Sequence, residues 1–127
     1  MKLLPRVTNE IERVKESFPT TQVTVQPDGS IHIEIPNVPL PPGWNKSEAT
    51  ILIIVPIGYP QARPDGFYAD SDLRAQNGAK VPDGSGQVQI AGRNWTRFCW
   101  QPTTWDMSRD NLWKYVKLAL SRFKENR

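Results

Sequence analysis

A single cysteine and a single histidine stand among 127 residues. One cysteine cannot close an intramolecular disulfide, so nothing in the chain points to an oxidising compartment. One Cys with one His also excludes a zinc site built from those two ligand types. Long apolar runs are equally scarce. The longest, Ile51 to Val55, is the length of a strand and far below the ~18 residues that a helical bilayer span needs. Met1-Lys2-Leu3-Leu4 gives way at once to Pro5 and Arg6, leaving no apolar stretch of secretory-signal length. These absences predict a cytoplasmic protein with no membrane partner. Charge is also mild, at a formal +3. The basic residues Lys114, Lys117, Arg122, Lys124 and Arg127 gather near the C-terminus, where they suit the negative end of a helix dipole. No base-stacking motif accompanies them, so nucleic acid is not an expected partner.

What the chain does hold is proline, twelve in all, and their places set the organisation. They cluster in 36–42 and 56–64, with Pro82 and Pro102 standing alone. Proline cannot donate to a sheet ladder, so these stretches are connections and edges. There are no repeats and no low-complexity tract, and residues 1–127 read as one domain. Asn9 followed by Glu12 predicts a helix start, with Ile11, Val14 and Phe18 on one face and an end before Pro19. Val23 and Val25, the turn residues Pro27-Asp28-Gly29-Ser30, and the alternating Ile31, Ile33 and Ile35 predict a hairpin. Thr50 to Val55 is continuously apolar after its first residue and predicts a central strand covered on both faces. A short fourth strand includes Phe67 and Tyr68. Residues 74–94, with four glycines, predict a long loop that can hold a short hairpin around Gln87 to Ile90. Ser108 then caps a helix to about Phe123, with Leu112, Val116, Ala119 and Phe123 as its buried stripe and Lys114 and Lys117 facing water. The expected class is α+β: an N-terminal helix, an antiparallel meander of three to four strands, a long loop bearing the cysteine, and a C-terminal helix.

Two segments carry a resemblance. In Val55-Pro56-Ile57-Gly58-Tyr59-Pro60-Gln61-Ala62-Arg63-Pro64-Asp65-Gly66-Phe67-Tyr68, a buried strand runs into a Tyr-Pro pair, a second proline and aromatic residues. The prolines stiffen a path across the sheet edge and the aromatics plug the core beneath it. In Phe98-Cys99-Trp100-Gln101-Pro102-Thr103-Thr104-Trp105, the lone cysteine precedes a tryptophan and then a helix. Both resemble signatures of the ubiquitin-conjugating enzymes. With Leu3-Leu4-Pro5, Pro41-Pro42-Gly43-Trp44-Asn45 and the Trp95 to Trp100 stretch, the chain most resembles the prokaryotic family E of ubiquitin-conjugating-like proteins, over nearly its whole length. It departs from familiar members in three ways. Their His-Pro-Asn triplet ahead of the cysteine is replaced here by Ile90-Ala91-Gly92-Arg93-Asn94. The Trp-Ser-Pro after the cysteine is Trp105-Asp106-Met107, and two further C-terminal helices are not expected before Arg127.

The resemblance implies a ubiquitin-conjugating-like fold and an acyl transferase. A ubiquitin-like protein is received from an activating enzyme as a thioester on Cys99, then passed to an amine. It implies no cofactor. The partners implied are the ubiquitin-like protein, a ubiquitin-activating-type enzyme and a deubiquitinase-like peptidase of the same pathway. Modifier, target, ligase requirement and biological setting, whether antiphage defence or housekeeping, stay open. The chemistry needs a thiol able to ionise and a donor for the tetrahedral oxyanion, worth ~3 kcal/mol in comparable acyl transfers.

Each candidate has a plainer reading beside it. Cys99 is otherwise a small buried apolar residue. In an extended segment, however, burying Phe98 and Trp100 turns Cys99 the other way, and Arg93 and Arg97 favour a thiolate. Asn94 is the nearest upstream asparagine and a candidate oxyanion donor, with Asn77 a weaker one; otherwise Asn94 is a turn residue. Asp106 is a candidate to orient or desolvate the incoming amine, or simply an acid favouring a helix N-terminus. His32 reads as a surface residue, while Trp44, Tyr59, Phe67 and Trp105 read as core or lid-packing residues. Trp113 falls off the stripe of the last helix, so it marks a partner surface or a flap. Asn45-Lys46-Ser47 and Asn94-Trp95-Thr96 match a glycosylation pattern that means nothing in a cytoplasmic protein. The competing functions are a non-catalytic binding module of the same fold, or an unrelated α+β domain that shares the Tyr-Pro pattern.

Overall fold

A computed structural model describes residues 5–59, 61–62, 64, 66–74, 86–98 and 110–123. Helix α1 runs Pro5–Ser17 and buries Val7, Ile11 and Val14 at spacings of four and three. It starts a turn earlier than the Asn9 cap predicted. Proline needs no N–H partner at a first helical position and its φ is already helical there, so Pro5 opens the helix and Asn9 lies exposed on its side.

The predicted hairpin joins β1 (Gln22–Val25) to β2 (Ile31–Pro39) in antiparallel register, Val23 opposite Ile33. Its turn is closed by Gln26 N–H to Ser30 O at 2.8 Å. The Asp28 carboxylate accepts from Ser30 N at 2.9 Å and Oγ at 2.7 Å. Gly29, at φ 93°, supplies the left-handed residue. β3 (Glu48–Val55) pairs with β2 and β4 (Phe67–Asp70) pairs with β3, again antiparallel.

The sheet then departs from a three- or four-stranded meander. Much of the expected loop is a second hairpin, β5 (Gly86–Ile90) and β6 (Arg93–Phe98), turning through Ala91 at φ 51° and Gly92 at φ 80°. Two successive positive-φ residues make the tight turn whose twist suits a hairpin. An alanine in the first place hides the sequence signal that Asn-Gly would have given. The order is β1-β2-β3-β4-β6-β5, so the chain passes outside before β6 returns to pair with β4.

Helix α2 (Leu112–Arg122) is capped by Asn111, whose side chain accepts from Lys114 N at 2.9 Å. The expected cap, Ser108, lies outside the described residues. The cap falls at Asn111 because that residue is extended and its side-chain oxygen reaches an orphan donor of the first turn. Leu112, Val116, Ala119 and Phe123 are buried as expected, joined by Tyr115.

One face of the sheet packs on both helices. Ile31, Ile33, Ile35, Ile51, Ile53, Val55, Phe67 and Phe98 meet the stripes of α1 and α2 in one apolar cluster. Among the described residues the opposite face is only partly covered. There Leu52 and Trp95 are buried without joining that cluster, and Arg93 lies over the Trp95 ring at 4.2 Å. The continuity of the Ile51–Val55 run is thereby explained: Leu52 is covered on this second face. Among the described residues, no helix is long and apolar enough to cross a membrane.

Candidate functional site

Cys99 follows directly on the last residue of β6, and that residue is held on three sides. Phe98 is 1% exposed. It lies opposite Phe67 in the ladder, and the two rings stack at 4.9 Å and 5°. Phe123 of the α2 C-cap meets Phe98 edge-on at 5.5 Å, and Trp44 does so at 6.5 Å. Trp44 is itself fixed by its indole N–H, which donates to Phe123 O at 2.7 Å. Phe98 therefore points inward, as the sequence argument required. Cys99 itself lies outside the described residues, as do Trp100, Trp105, Asp106 and Asn77.

Asn94 is described, and it is exposed on β6 opposite Gln89. Four residues of extended chain separate it from Phe98, about 13 Å along the strand. Ile90 to Asn94, the stretch that the resemblance sets against the His-Pro-Asn triplet, forms the tip of the β5–β6 hairpin, with Ala91 and Gly92 as its turn. Arg93 is committed to the outer sheet face. Its guanidinium lies 3.2 Å from Glu34 and 3.9 Å from Asp70 while it stacks on Trp95. Arg97 is half-buried opposite Tyr68.

The chain re-enters the described structure at Asp110, where a polar cluster missed in the sequence holds it. Glu10 of α1 accepts a short hydrogen bond from the Tyr59 hydroxyl. The same oxygen accepts from Leu112 N at 2.7 Å, and the other accepts from Arg6 Nε at 2.6 Å. Arg6 Nη2 in turn donates to Asp110 O at 2.7 Å. A carboxylate thus meets an unsatisfied N–H at the start of α2, a helix with no acidic residue in its own first turn. Burial, then the bond to Glu10, pushes the Tyr59 hydroxyl well above its ordinary pKa, so it stays a donor. The bond to Glu10 likewise holds the Arg6 guanidinium more firmly in its charged form. The one hint in the sequence was Arg6 with Glu10 at helical spacing, which reads as a surface pair.

Trp44, Tyr59 and Phe67 are core residues, as expected. Trp113 is half-buried at the edge of the core, 6.4 Å from the Phe18 ring with Lys117 over its face. His32 differs from its reading as a plain surface residue. It helps line an open cavity of about 170 Å³ on the outer sheet face, with Gln22, Glu34, Leu52, Arg93 and Trp95. Partial burial there lowers its pKa, against a smaller opposing pull from Asp28. Among the described residues, no group of three His, Cys, Asp or Glu is placed to hold a metal ion.

Comparison with known proteins adds one finding. Neither the curated proteins nor the solved structures contain a match to this chain. A sequence-family model described as prokaryotic E2 family E, however, matches residues 12–126. That span takes in the last six residues of α1, all six strands, Cys99 and α2. E2 denotes the ubiquitin-conjugating enzymes, so the match gives the chain a role related to ubiquitin conjugation, in the company of ubiquitin-like proteins and their activating enzymes. On that match, the chain belongs to the prokaryotic E2 family E.

Proposed function

We propose that this protein is a conjugating enzyme that carries a ubiquitin-like protein as a thioester on Cys99. The observation that supports it most is positional: the chain's lone cysteine follows a strand residue, Phe98, that is locked into the core of a family E member. In the first step the Cys99 thiolate attacks the carbonyl of a thioester held by the activating enzyme. A C–S bond forms to Cys99, and the activating enzyme's thiolate leaves. In the second step an amine attacks the new thioester, loses a proton, and expels the Cys99 thiolate as the amide forms. Both steps pass through a tetrahedral oxyanion, which needs a hydrogen-bond donor.

In this reading Asn94 is the candidate donor and Asp106 orients the amine. β6 carries Asn94 four residues back from Phe98, so its role is the part of the reading most exposed to test. Asn94→Ala and Asp106→Ala separate these roles: loss of the donor slows both charging and discharge, whereas loss of the orienting acid slows discharge alone.

One observation favours a second reading, a binding module that holds a ubiquitin-like protein without reacting with it. A tight β-turn occupies the place of the His-Pro-Asn triplet. Charging decides between the two readings. Purified protein is incubated with its activating enzyme, ubiquitin-like protein and ATP, then resolved with and without reductant. The conjugating reading expects an adduct that reductant removes, that is absent in Cys99→Ala, and that resists reductant in Cys99→Ser. No adduct, together with a thiol that resists labelling in the folded protein, leaves the binding module as the function.

A further inference from the structure

β5 closes one side of the sheet, and among the described residues nothing pairs with its outer edge. Its ladder to β6 decides which backbone groups face outward. Ala91 and Gly92 make a two-residue turn, with Ile90 opposite Arg93, Val88 opposite Trp95 and Gly86 opposite Arg97. The residues flanking such a turn exchange both backbone bonds, and the bonding alternates along an antiparallel pair. Gly86, Val88 and Ile90 therefore turn their N–H and C=O groups toward β6, while Gln87 and Gln89 turn theirs away from the sheet. The Gln87 side chain folds back onto β6, donating to Thr96 Oγ1 at 2.9 Å, and leaves its own backbone open. Edge strands are ordinarily blunted by charge, proline or a bulge. Gly86-Gln87-Val88-Gln89-Ile90 carries no charge and no proline, and its register runs unbroken. β1, the opposite edge, is a residue shorter and runs on through Gln26 into Pro27 and Asp28.

We infer that the β5 edge is an interaction surface for a second copy of this chain, joined antiparallel about a two-fold axis at Val88. The strand is complementary to itself in that register. Gln87 of one copy falls opposite Gln89 of the other, so their outward groups form four backbone bonds, two on each side of the axis. Val88 meets Val88 at a position without backbone bonds, where facing side chains come closest. Ile90 falls opposite Gly86 of the second copy, which has no side chain to obstruct it. Val88 and Ile90 are half-exposed in the single chain and gain cover from the contact. β5 brings no charge to the axis, and a formal +3 per copy opposes association only weakly. Five residues of ladder bury less than the ~1,000 Å² of a stable interface, so the dimer is a weak one that forms near and above about 100 µM.

The test is amide hydrogen exchange of the full chain, read residue by residue by NMR in reductant so that the lone cysteine cannot link two copies. Between about 50 µM and about 1 mM, exchange at Gln87 and Gln89 should slow about threefold, as mass action around a Kd of about 100 µM requires. Val88 and Ile90, bonded within the hairpin, should stay slow at both concentrations. Val88→Lys and Val88→Glu put like charges opposite each other, so each should sediment as a monomer while an equal mixture of the two associates. Gln89→Pro deletes an outward N–H that β6 does not use, and should also stay monomeric with little change in urea midpoint. The exchange measurement needs no variant, so a substitution that weakens the fold leaves it decisive. Fast exchange of Gln87 and Gln89 at every concentration overturns the inference and leaves the edge to a strand of another protein. Slow exchange at every concentration overturns it too, because another part of the chain then already pairs with β5. So does protection that grows with concentration at β1 in place of β5, or a mixture of the lysine and glutamate variants that associates no better than either alone.

Discussion

Phe98 is the residue on which the fold and the proposed chemistry meet, and its replacement has a magnitude that can be worked out. The ring is almost wholly buried, stacks on Phe67, and meets Phe123 and Trp44 edge-on. Phe98→Ala deletes the ring and leaves a cavity between partners fixed in β4, α2 and the Trp44 loop. Such changes cost about 3–5 kcal/mol, and lost aromatic contacts put this one near 4. Against about 0.05–0.15 kcal/mol per residue, a chain of 127 residues has roughly 6–19 kcal/mol to lose, so the variant stays folded but is markedly weakened. Phe98→Leu keeps most of the volume and forfeits the stacked geometry, for about 1–2 kcal/mol. With a urea slope of ~2 kcal/mol per molar, the midpoint should fall by about 2 M for alanine and up to about 1 M for leucine, the slope unchanged.

The functional half of the prediction needs a control of equal stability. Ile33→Val trims a fully buried residue of β2, far from Cys99 in sequence, for about 0.5–1.5 kcal/mol. If Phe98 holds the strand end that presents Cys99, Phe98→Leu charges more slowly than Ile33→Val at matched stability. Equal charging would reduce Phe98 to a stability residue. A loss below about 1 kcal/mol in Phe98→Ala would refute the packing itself.

Three further outcomes follow from other sites. Ala91 sits at φ 51°, a conformation that asparagine adopts at less cost than alanine, so Ala91→Asn should raise stability by about 0.5–1 kcal/mol and Tm by roughly 2–5 °C in a thermal melt. Asn111→Ala removes the α2 cap and should cost about 1 kcal/mol in urea unfolding, while Asn111→Asp stays close to wild type. Tyr59 has a folded-state pKa raised above its ordinary value near 10, so its contribution is intact below that pH. As pH climbs past ~10 the unfolded chain gives up this proton and the folded chain keeps it, so stability falls by up to about 1.4 kcal/mol per pH unit. Urea midpoints from pH 8 to 11 should show a shallower alkaline decline in Tyr59→Phe; an identical decline would remove Tyr59 as the cause.

The parts of the fold legible in the sequence were those where one face is apolar and the turn chemistry is local. The β1–β2 hairpin was readable because Asp28, Gly29 and Ser30 close it within four residues, and α2 because its stripe repeats at helical spacing. The β5–β6 hairpin was harder. Gln87-Val88-Gln89-Ile90 alternates without strong apolar character, since β5 is an edge with half-exposed Val88 and Ile90. Its turn places alanine where a left-handed residue belongs, and the two flanking ladders hold it there. The start of α1 was misread for the opposite reason. Asn9 and Glu12 have cap-like spacing, yet Val7 extends the apolar stripe back to Pro5, and burial of a whole turn outweighs a cap worth about 1 kcal/mol.

The candidate site was legible to the extent that it is a linear motif. Tyr59 and Phe67 could be assigned to the core from the Tyr-Pro segment alone, but the reason the segment ends in tyrosine could not. The hydroxyl has a use only because Glu10 lies against it, forty-nine positions away in sequence, and Glu10 also meets Leu112, one hundred and two away. Pairing over such distances leaves no local pattern, and the i, i+4 spacing of Arg6 and Glu10 has the look of an ordinary surface pair. The missing His-Pro-Asn gains a physical meaning in the same way. Between β5 and β6 there is room for a two-residue turn and no more, with Ile90 and Arg93 already paired across it. A displaced copy of the triplet therefore has no place in this hairpin. If Cys99 forms a thioester, its oxyanion donor comes from outside such a triplet, and Asn94→Ala is the direct test of whether Asn94 supplies it.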